Sequence, residues 1–270
     1  MKTAYIFLLT FFITFISCHK ENPGHPPDPP VPLTGKLKDM TVRNLPSPAY
    51  HFEYNDFGGF SAASIYSGLV SYNIRYDGKK ILRMESIVNK DTLQYQYYNG
   101  DLTVIRINDR NGVTYRRCLI TAAASGKLEE VEWQLREGNI GYAIERIYQF
   151  SYAPNGNLME MVTHMYAVGS QQDATYIDKF DNYDDKPNAD GFSLLHPFQL
   201  EHLILLPEFT LQSNNPRHEV RTGDGVNYEV NYTYSYDAAG RPVQKTGDVL
   251  WKSGPENGKH FETLSTFSYY

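Results

Sequence analysis

Histidines, acidic clusters and two cysteines are the groups in this 270-residue chain that could do chemistry, and their spacing assembles little of it. His196 and His202 lie six apart across Pro197, and neither an HExxH helix nor a Cys/His cluster with zinc-ligand spacing is present. The densest acidic stretch holds Asp178, Asp181, Asp184, Asp185 and Asp190. Oxygen-rich loops bind calcium, which makes Asp181, Asp184 and Asp185 its candidate ligands, although the spacing is not that of an EF-hand loop and a solvated turn is the simpler reading. Glu129 and Glu130 are adjacent and so point to opposite faces of a strand, whereas Glu132 shares a face with Glu130. No nucleophile elbow, P-loop or dinucleotide fingerprint occurs, and the TGDG at 222–225 is a turn. No catalytic residue and no cofactor are therefore expected. Cys118, within RRCLIT, reads as a buried small apolar residue. Trp133 and Trp251 are candidate ligand-contact aromatics, since sugars stack on exposed rings; packing in the core is the competing role.

The elements that must position these groups are legible in the aromatics. The chain has 22 Tyr and 14 Phe but 2 Trp. Tyrosine suits a pleated, half-wet surface where the ring packs and the hydroxyl reaches water, so the composition points to an all-β protein. A formal net charge of −6, with no basic run longer than Lys79-Lys80 or Arg116-Arg117, speaks against nucleic acid as a partner. One pattern recurs: alternating aromatics, a turn ending in Gly, then an apolar residue. It reads YHFEYNDFGG from Tyr50, YNIRYDG from Tyr72, YQYYNG from Tyr95, YQFSYAPNG from Tyr148 and YTYSYDAAG from Tyr232, with a weaker copy from Cys118 to Gly126. Tyr148, Phe150 and Tyr152 share one strand face, as do Tyr232, Tyr234 and Tyr236, and the Gly supplies the positive φ of a tight turn. Each unit is a hairpin.

The return strands carry an anomaly. Leu102 and Ile105, Leu128 and Val131, and Leu158 and Met161 stand three apart, so an ideal strand cannot put both members on one face. Either a bulge follows the turn or both faces are covered. The repeat stalls between about 170 and 215, where Pro197 can open a helix whose Leu200, Leu203 and Ile204 share a face and Pro207 ends it. The expected fold is thus a curved antiparallel meander sheet of tandem hairpins with exposed ends. A short helical insertion near 192–206 would cover its wet side, all within a single domain at 37–270.

The first segment is an address. Lys2 and an apolar run to Ser17 have the length of a signal-peptide core, and Phe15-Ile16-Ser17-Cys18 before polar HKEN resembles a lipobox. Residues 1–17 are the expected leader, with an uncut signal anchor as the alternative, and Cys18 is the expected lipidated residue. With Cys18 so used, no disulfide framework is possible in the mature chain. Residues 18–36 hold Pro23, Pro26, Pro27, Pro29, Pro30 and Pro32 and form a stiff tether.

The hairpins resemble the YD repeats of the RHS family, most closely at YDG (76–78) and YDAAGRP (236–242). The whole chain is similar to a family of lipid-anchored Bacteroidetes proteins, through the leader, the linker, YDDKPNAD from Tyr183 and SNNPRHEV from Ser213; it departs from that pattern at Ala189, where Pro is usual. This resemblance implies a cell-envelope address and an unidentified ligand, and carries over no catalytic residue. The expected function is a non-catalytic outer-membrane lipoprotein that binds a glycan or an envelope protein or acts as a scaffold, on either face of that membrane. A periplasm-facing envelope protein that carries lipid or other apolar cargo is the alternative, and a secreted glycan-active enzyme the least favoured. Labelled palmitate is expected to enter the wild-type protein in its native host and not Cys18→Ser; equal labelling of the two would remove the anchor.

Overall fold

The computed structural model describes residues 34–168, 171–189, 193–195 and 202–270, so the leader, Cys18 and the tether up to residue 33 lie outside the described residues. The strands are β1 (Leu37–Val42), β2 (Tyr50–Tyr54), β3 (Phe60–Ile65), β4 (Val70–Asp77), β5 (Lys80–Ser86) and β6 (Thr92–Tyr98). Then come β7 (Asp101–Asn108), β8 (Thr114–Ala122), β9 (Leu128–Glu137), β10 (Gly141–Tyr152), β11 (Leu158–Met165) and β12 (Ala174–Asp181). They end with β13 (Ser193–Leu195), β14 (Ile204–Leu206), β15 (His218–Gly223), β16 (Tyr228–Tyr236), β17 (Pro242–Trp251) and β18 (His260–Tyr269). No helix is found among the described residues.

The expected hairpins are all present, but the sheet is not open. Sixteen strands form one closed antiparallel barrel. The first and last strands pair with each other, Met40 opposite Phe267, and the Thr41 and Thr266 hydroxyls lie 2.6 Å apart across the seam. The ends that an open array would have to cap are consumed by pairing. Neighbours in the ring are neighbours in sequence except at this seam and at β12–β15, between which β13 and β14 stand outside the ring.

The tight turns follow one local rule. In the β2–β3, β8–β9, β10–β11 and β16–β17 turns, the Gly amide donates to the carbonyl three residues back, and that glycine has φ between +74° and +85°. Asn55 and Asp237 tighten their turns by accepting two backbone amides each. Just beyond the turn, the pairing register slips by one residue on the return strand. Tyr54 faces Phe60 but Glu53 faces Ala62; Tyr97 faces Leu102 but Gln96 faces Val104; Tyr152 faces Leu158 but Ser151 faces Glu160. The same bulge recurs in β4–β5, β8–β9 and β16–β17. It resolves the parity anomaly. The extra residue (Thr103, Glu129 or Met159) returns the next apolar side chain to the inner face, where Leu102, Ile105, Leu128, Val131 and Leu158 are buried and Met161 packs against them.

Along β4–β8 the inner and outer faces differ sharply. Tyr72, Ile74, Met84, Leu93, Tyr95, Ile105 and Cys118 point inward and are buried. Their alternates Asn73, Arg75, Gln94, Arg106 and Arg117, with Glu130, Gln149, Glu160 and Lys179 further round, put charges along the whole outer wall, between apolar residues such as Val104, Leu119, Val162 and Ile177. A lipid-spanning barrel carries the opposite pattern, an apolar outer band.

In place of the helix expected near 192–206, the described residues form two short strands. β14 pairs with β13, and Leu203, Ile204, Leu205 and Leu206 are all fully buried. The physical reason is location: the segment lies inside the barrel with protein on both sides, so every side chain is covered and no one-sided stripe is needed. Pro197 and Leu200 lie outside the described residues. The insertion therefore fills the interior and does not cover an outer side. Ile204→Ala and Leu205→Ala should each lower unfolding stability by about 2–5 kcal/mol, the range for cavities that cannot collapse. Urea midpoints would measure it, and values within about 0.5 kcal/mol of wild type would contradict this packing.

Candidate functional site in the barrel interior

The interior has two unlike halves. Along β2–β10 it is a continuous apolar core that includes residues 203–206 and Phe209. An extended segment inside a core brings backbone polar groups that need partners. Two wall tyrosines supply them. The Tyr95 hydroxyl donates to the Leu205 carbonyl at 2.9 Å, and the Tyr72 oxygen accepts from the Leu203 amide at 3.2 Å.

His202 begins this segment and joins a buried network. Its Nδ1 is 2.8 Å from the Tyr72 hydroxyl; its Nε2 is 3.0 Å from Asp91 Oδ2 and 2.8 Å from the Tyr115 hydroxyl, which donates to the same carboxylate oxygen. Burial holds the imidazole below its usual pKa, against the pull of Asp91. A neutral ring accepting from Tyr72 at Nδ1 carries its proton on Nε2, facing Asp91 and Tyr115. The order Asp91–His202–Tyr72 is that of a proton relay. However, Tyr72 has no exposed surface, its oxygen is already used by Leu203, and burial pushes its pKa up, so no substrate meets it. The network is a latch for the internal segment.

The other half is lined by β12 and β15–β18 and is built from tyrosines and fixed charges. Tyr176, Asp178 and Phe180 face inward from β12, Glu219 and Arg221 from β15, and Tyr228, Tyr232 and Tyr234 from β16. Asp178 is fully buried and takes two bonds from Arg221, at 2.6 and 2.8 Å. The guanidinium lies 5.6 and 5.2 Å from the ring centres of Tyr176 and Tyr228. Glu219 accepts from the Tyr228 and Tyr232 hydroxyls at 2.9 and 2.6 Å. On β17, Lys245 sets its ammonium 3.7 Å from the centre of the Tyr232 ring, and burial lowers its pKa while the Glu219 charge opposes that shift. Gly247 lies directly opposite Tyr232, and a Cβ there would come within 2.9 Å of that ring and 2.5 Å of Thr263 Oγ1. The bare backbone lets the ring lie flat on the wall. Tyr228, Tyr232, Tyr234 and Lys245 keep accessible surface although they point into a closed barrel. This half is incompletely filled.

At the rim that carries the YD-type turns and both ends of the wall, a cavity of about 510 Å³ opens. Its lining includes Lys36, Tyr54, Tyr76, Arg241 and Tyr269, together with Pro187 and Asn188 of the insertion.

The residues singled out from sequence are scattered. Trp133 has no exposed surface and packs between Arg116 and Arg146, so it belongs to the core. Trp251 sits on the inner face near the opposite rim, stacked on exposed Phe261 at 5.9 Å and edge-on to Tyr228 at 6.0 Å. The three candidate calcium ligands do not converge. Asp181 pairs with His218, Asp184 accepts from Asn215 and Tyr236, and Asp185 pairs with Lys186; no group of metal-ligating side chains occurs among the described residues. Glu130 and Glu132 lie on the outer wall and bond Gln149 and Gln134. His196 and Asp190 lie outside the described residues. Sequence reasoning passed over Glu219, Arg221 and Lys245. Their signal was a charge falling on the inward parity of a strand, as Lys245 does two residues before Gly247.

No protein-family model matches the chain, and no curated protein is similar to it in sequence. Among solved structures it is similar to a porin-like protein from Bacteroides uniformis ATCC 8492, with a TM-score of 0.61 and 13% identity over 90% of this chain and 98% of that one. It is also similar to a porin-like protein from Bacteroides vulgatus ATCC 8482, with a TM-score of 0.55 and 14% identity over 87% and 99% of the two chains. At these identities the likeness is one of fold: a wide, closed, antiparallel barrel.

The latch makes stability depend on pH. His202 in the folded chain resists protonation, so the unfolded state binds the proton first and stability falls as pH drops below the ordinary histidine value of 6.5. The loss in urea midpoint between roughly pH 7.5 and pH 5.5 should be smaller in His202→Gln than in the wild type. An identical loss in the two would acquit His202.

Proposed function

We propose that this protein is a non-catalytic cell-envelope lipoprotein whose barrel interior binds a small polar ligand, of which a saccharide is the best fit. The observation that carries this reading is the partly accessible inner face of β16 and β17, where tyrosine rings lie beside fixed charged groups. Sugar rings bury their C–H faces on aromatic rings and offer hydroxyls to nearby charged partners, and this half of the interior presents both. The apolar half does not suit a lipid cargo, because Leu203–Leu206 of the chain itself occupy it. The envelope address is supported by the leader, by the lipobox-like Ser17-Cys18 and by the fold shared with Bacteroides porin-like proteins. The charge-bearing outer wall suits a barrel that stands in water on a tether in preference to one embedded in lipid.

The test is calorimetric titration of the full-length mature protein with neutral and acidic oligosaccharides, repeated on Tyr234→Ala. At least one should bind, and Tyr234→Ala should weaken it about tenfold or more, which is about 1.4 kcal/mol. If no oligosaccharide binds, or if binding ignores Tyr234, the interior is not a saccharide site.

A further inference from the structure

Among the described residues, the inward charges of β12 and β15 are paired by their neighbours, and Lys245 departs from that pattern. Arg221 is neutralised by Asp178, and Glu219 is engaged by two phenols. Arg116 and Arg146 both reach Glu145. Lys245 meets the Tyr232 ring at 3.7 Å and the Tyr234 ring at 6.0 Å, and no carboxylate among the described residues lies within ion-pair distance of it. Glu219, whose charge it feels, spends both oxygens on Tyr228 and Tyr232.

An ammonium carries three donors, and ring faces can satisfy it from one side only. Partly buried beside two rings and without a counterion, this ammonium keeps donors free for an incoming anion. Lys245 is also well placed to meet a ligand. It stands on the inward parity of β17, directly between Tyr234 on one side and Ser265 on the other, and keeps accessible surface there. Gly247, two residues on, removes the side chain that would crowd Tyr232.

We infer that Lys245 is the anion-recognition group of this site and that its ligand is an acidic saccharide, carrying a carboxylate or a sulfate. The anionic group sits on the ammonium, with the Ser265 hydroxyl as a second donor. The sugar ring lies against Tyr232 and Tyr234. This rests on the proposed saccharide-binding function and adds to it the charge of the ligand and the residue that reads it. Lys245's lowered proton affinity is consistent with an ammonium awaiting an anion, since pairing restores the charged form.

The experiment titrates the full-length mature protein with three probes of equal length: an oligogalacturonate, a sulfated galacto-oligosaccharide and the neutral galacto-oligosaccharide. One acidic probe should bind at least tenfold more tightly than the neutral one, and which of them does identifies the anion. Lys245→Met should abolish that preference and Lys245→Arg should retain most of it, with thermal unfolding showing both variants folded. If Lys245→Met does not fold, protection of Lys245 from reductive methylation by the acidic probe, followed by mass spectrometry of the wild type, decides the question. Equal binding of neutral and acidic probes, or an acidic preference that survives Lys245→Met, overturns the role of Lys245 and leaves saccharide binding standing. Binding of none of the three overturns both.

Discussion

A closed barrel of sixteen strands encloses more space than the side chains of its own wall can fill. Every other feature of this molecule answers to that constraint. Between β12 and β15 the chain leaves the ring and lays Leu203–Leu206 inside it. An inserted strand brings amides and carbonyls into a dry place, where each must find a partner. Tyrosine solves both problems, because its ring reaches far from the wall and ends in a hydroxyl. Tyr72 and Tyr95 fill space and hold the backbone of the segment they pack against. A phenylalanine would fill the same volume and leave the backbone groups bare.

The filling is one-sided, and chemistry follows from that. Where the inserted segment lies, the interior is mostly apolar, broken by the Asp91–His202 network at the start of the segment. Across from it, tyrosines share the space with Asp178, Arg221, Glu219 and Lys245. Buried charges of this kind contribute little to stability, because losing water costs about as much as pairing returns. Their effect is geometric. Asp178 fixes the Arg221 guanidinium, which in turn sits against Tyr176 and Tyr228, while Glu219 orients two phenols. The result is a wall of rings held at set angles, with part of their surface left accessible.

Much of this was legible in the sequence, and the rest was hidden for identifiable reasons. The Gly turns and alternating tyrosines located the hairpins because both are local. The three-residue spacing of Leu128 and Val131 showed that something broke the strand period, but a bulge and double coverage predict the same spacing. Closure left no local trace, since Met40 and Phe267 meet from opposite ends of the chain. The run from Leu203 to Leu206, flanked by prolines, has the same apolar density whether it packs as one helix face or as a strand covered on both sides. For the site, the tyrosine stripe at 232–236 was visible, whereas Lys245 is meaningful only once its register opposite Tyr234 is known. Trp133 and Trp251 looked alike as letters; burial separates them.

The seam between β1 and β18 has a consequence in time. Almost every other strand pair joins segments that leave the ribosome one after the other, so the wall can assemble by adding hairpins in order. The ring itself must wait for the last strand of the wall, the ten residues His260 to Tyr269. Until they emerge, the nascent protein is a growing, curling ribbon with two bare edges, each able to recruit a strand from another molecule. The final strand is therefore less a small part of the wall than its clasp: it converts a sticky ribbon into a vessel without edges, and it does so only once the other fifteen strands of the wall are in place.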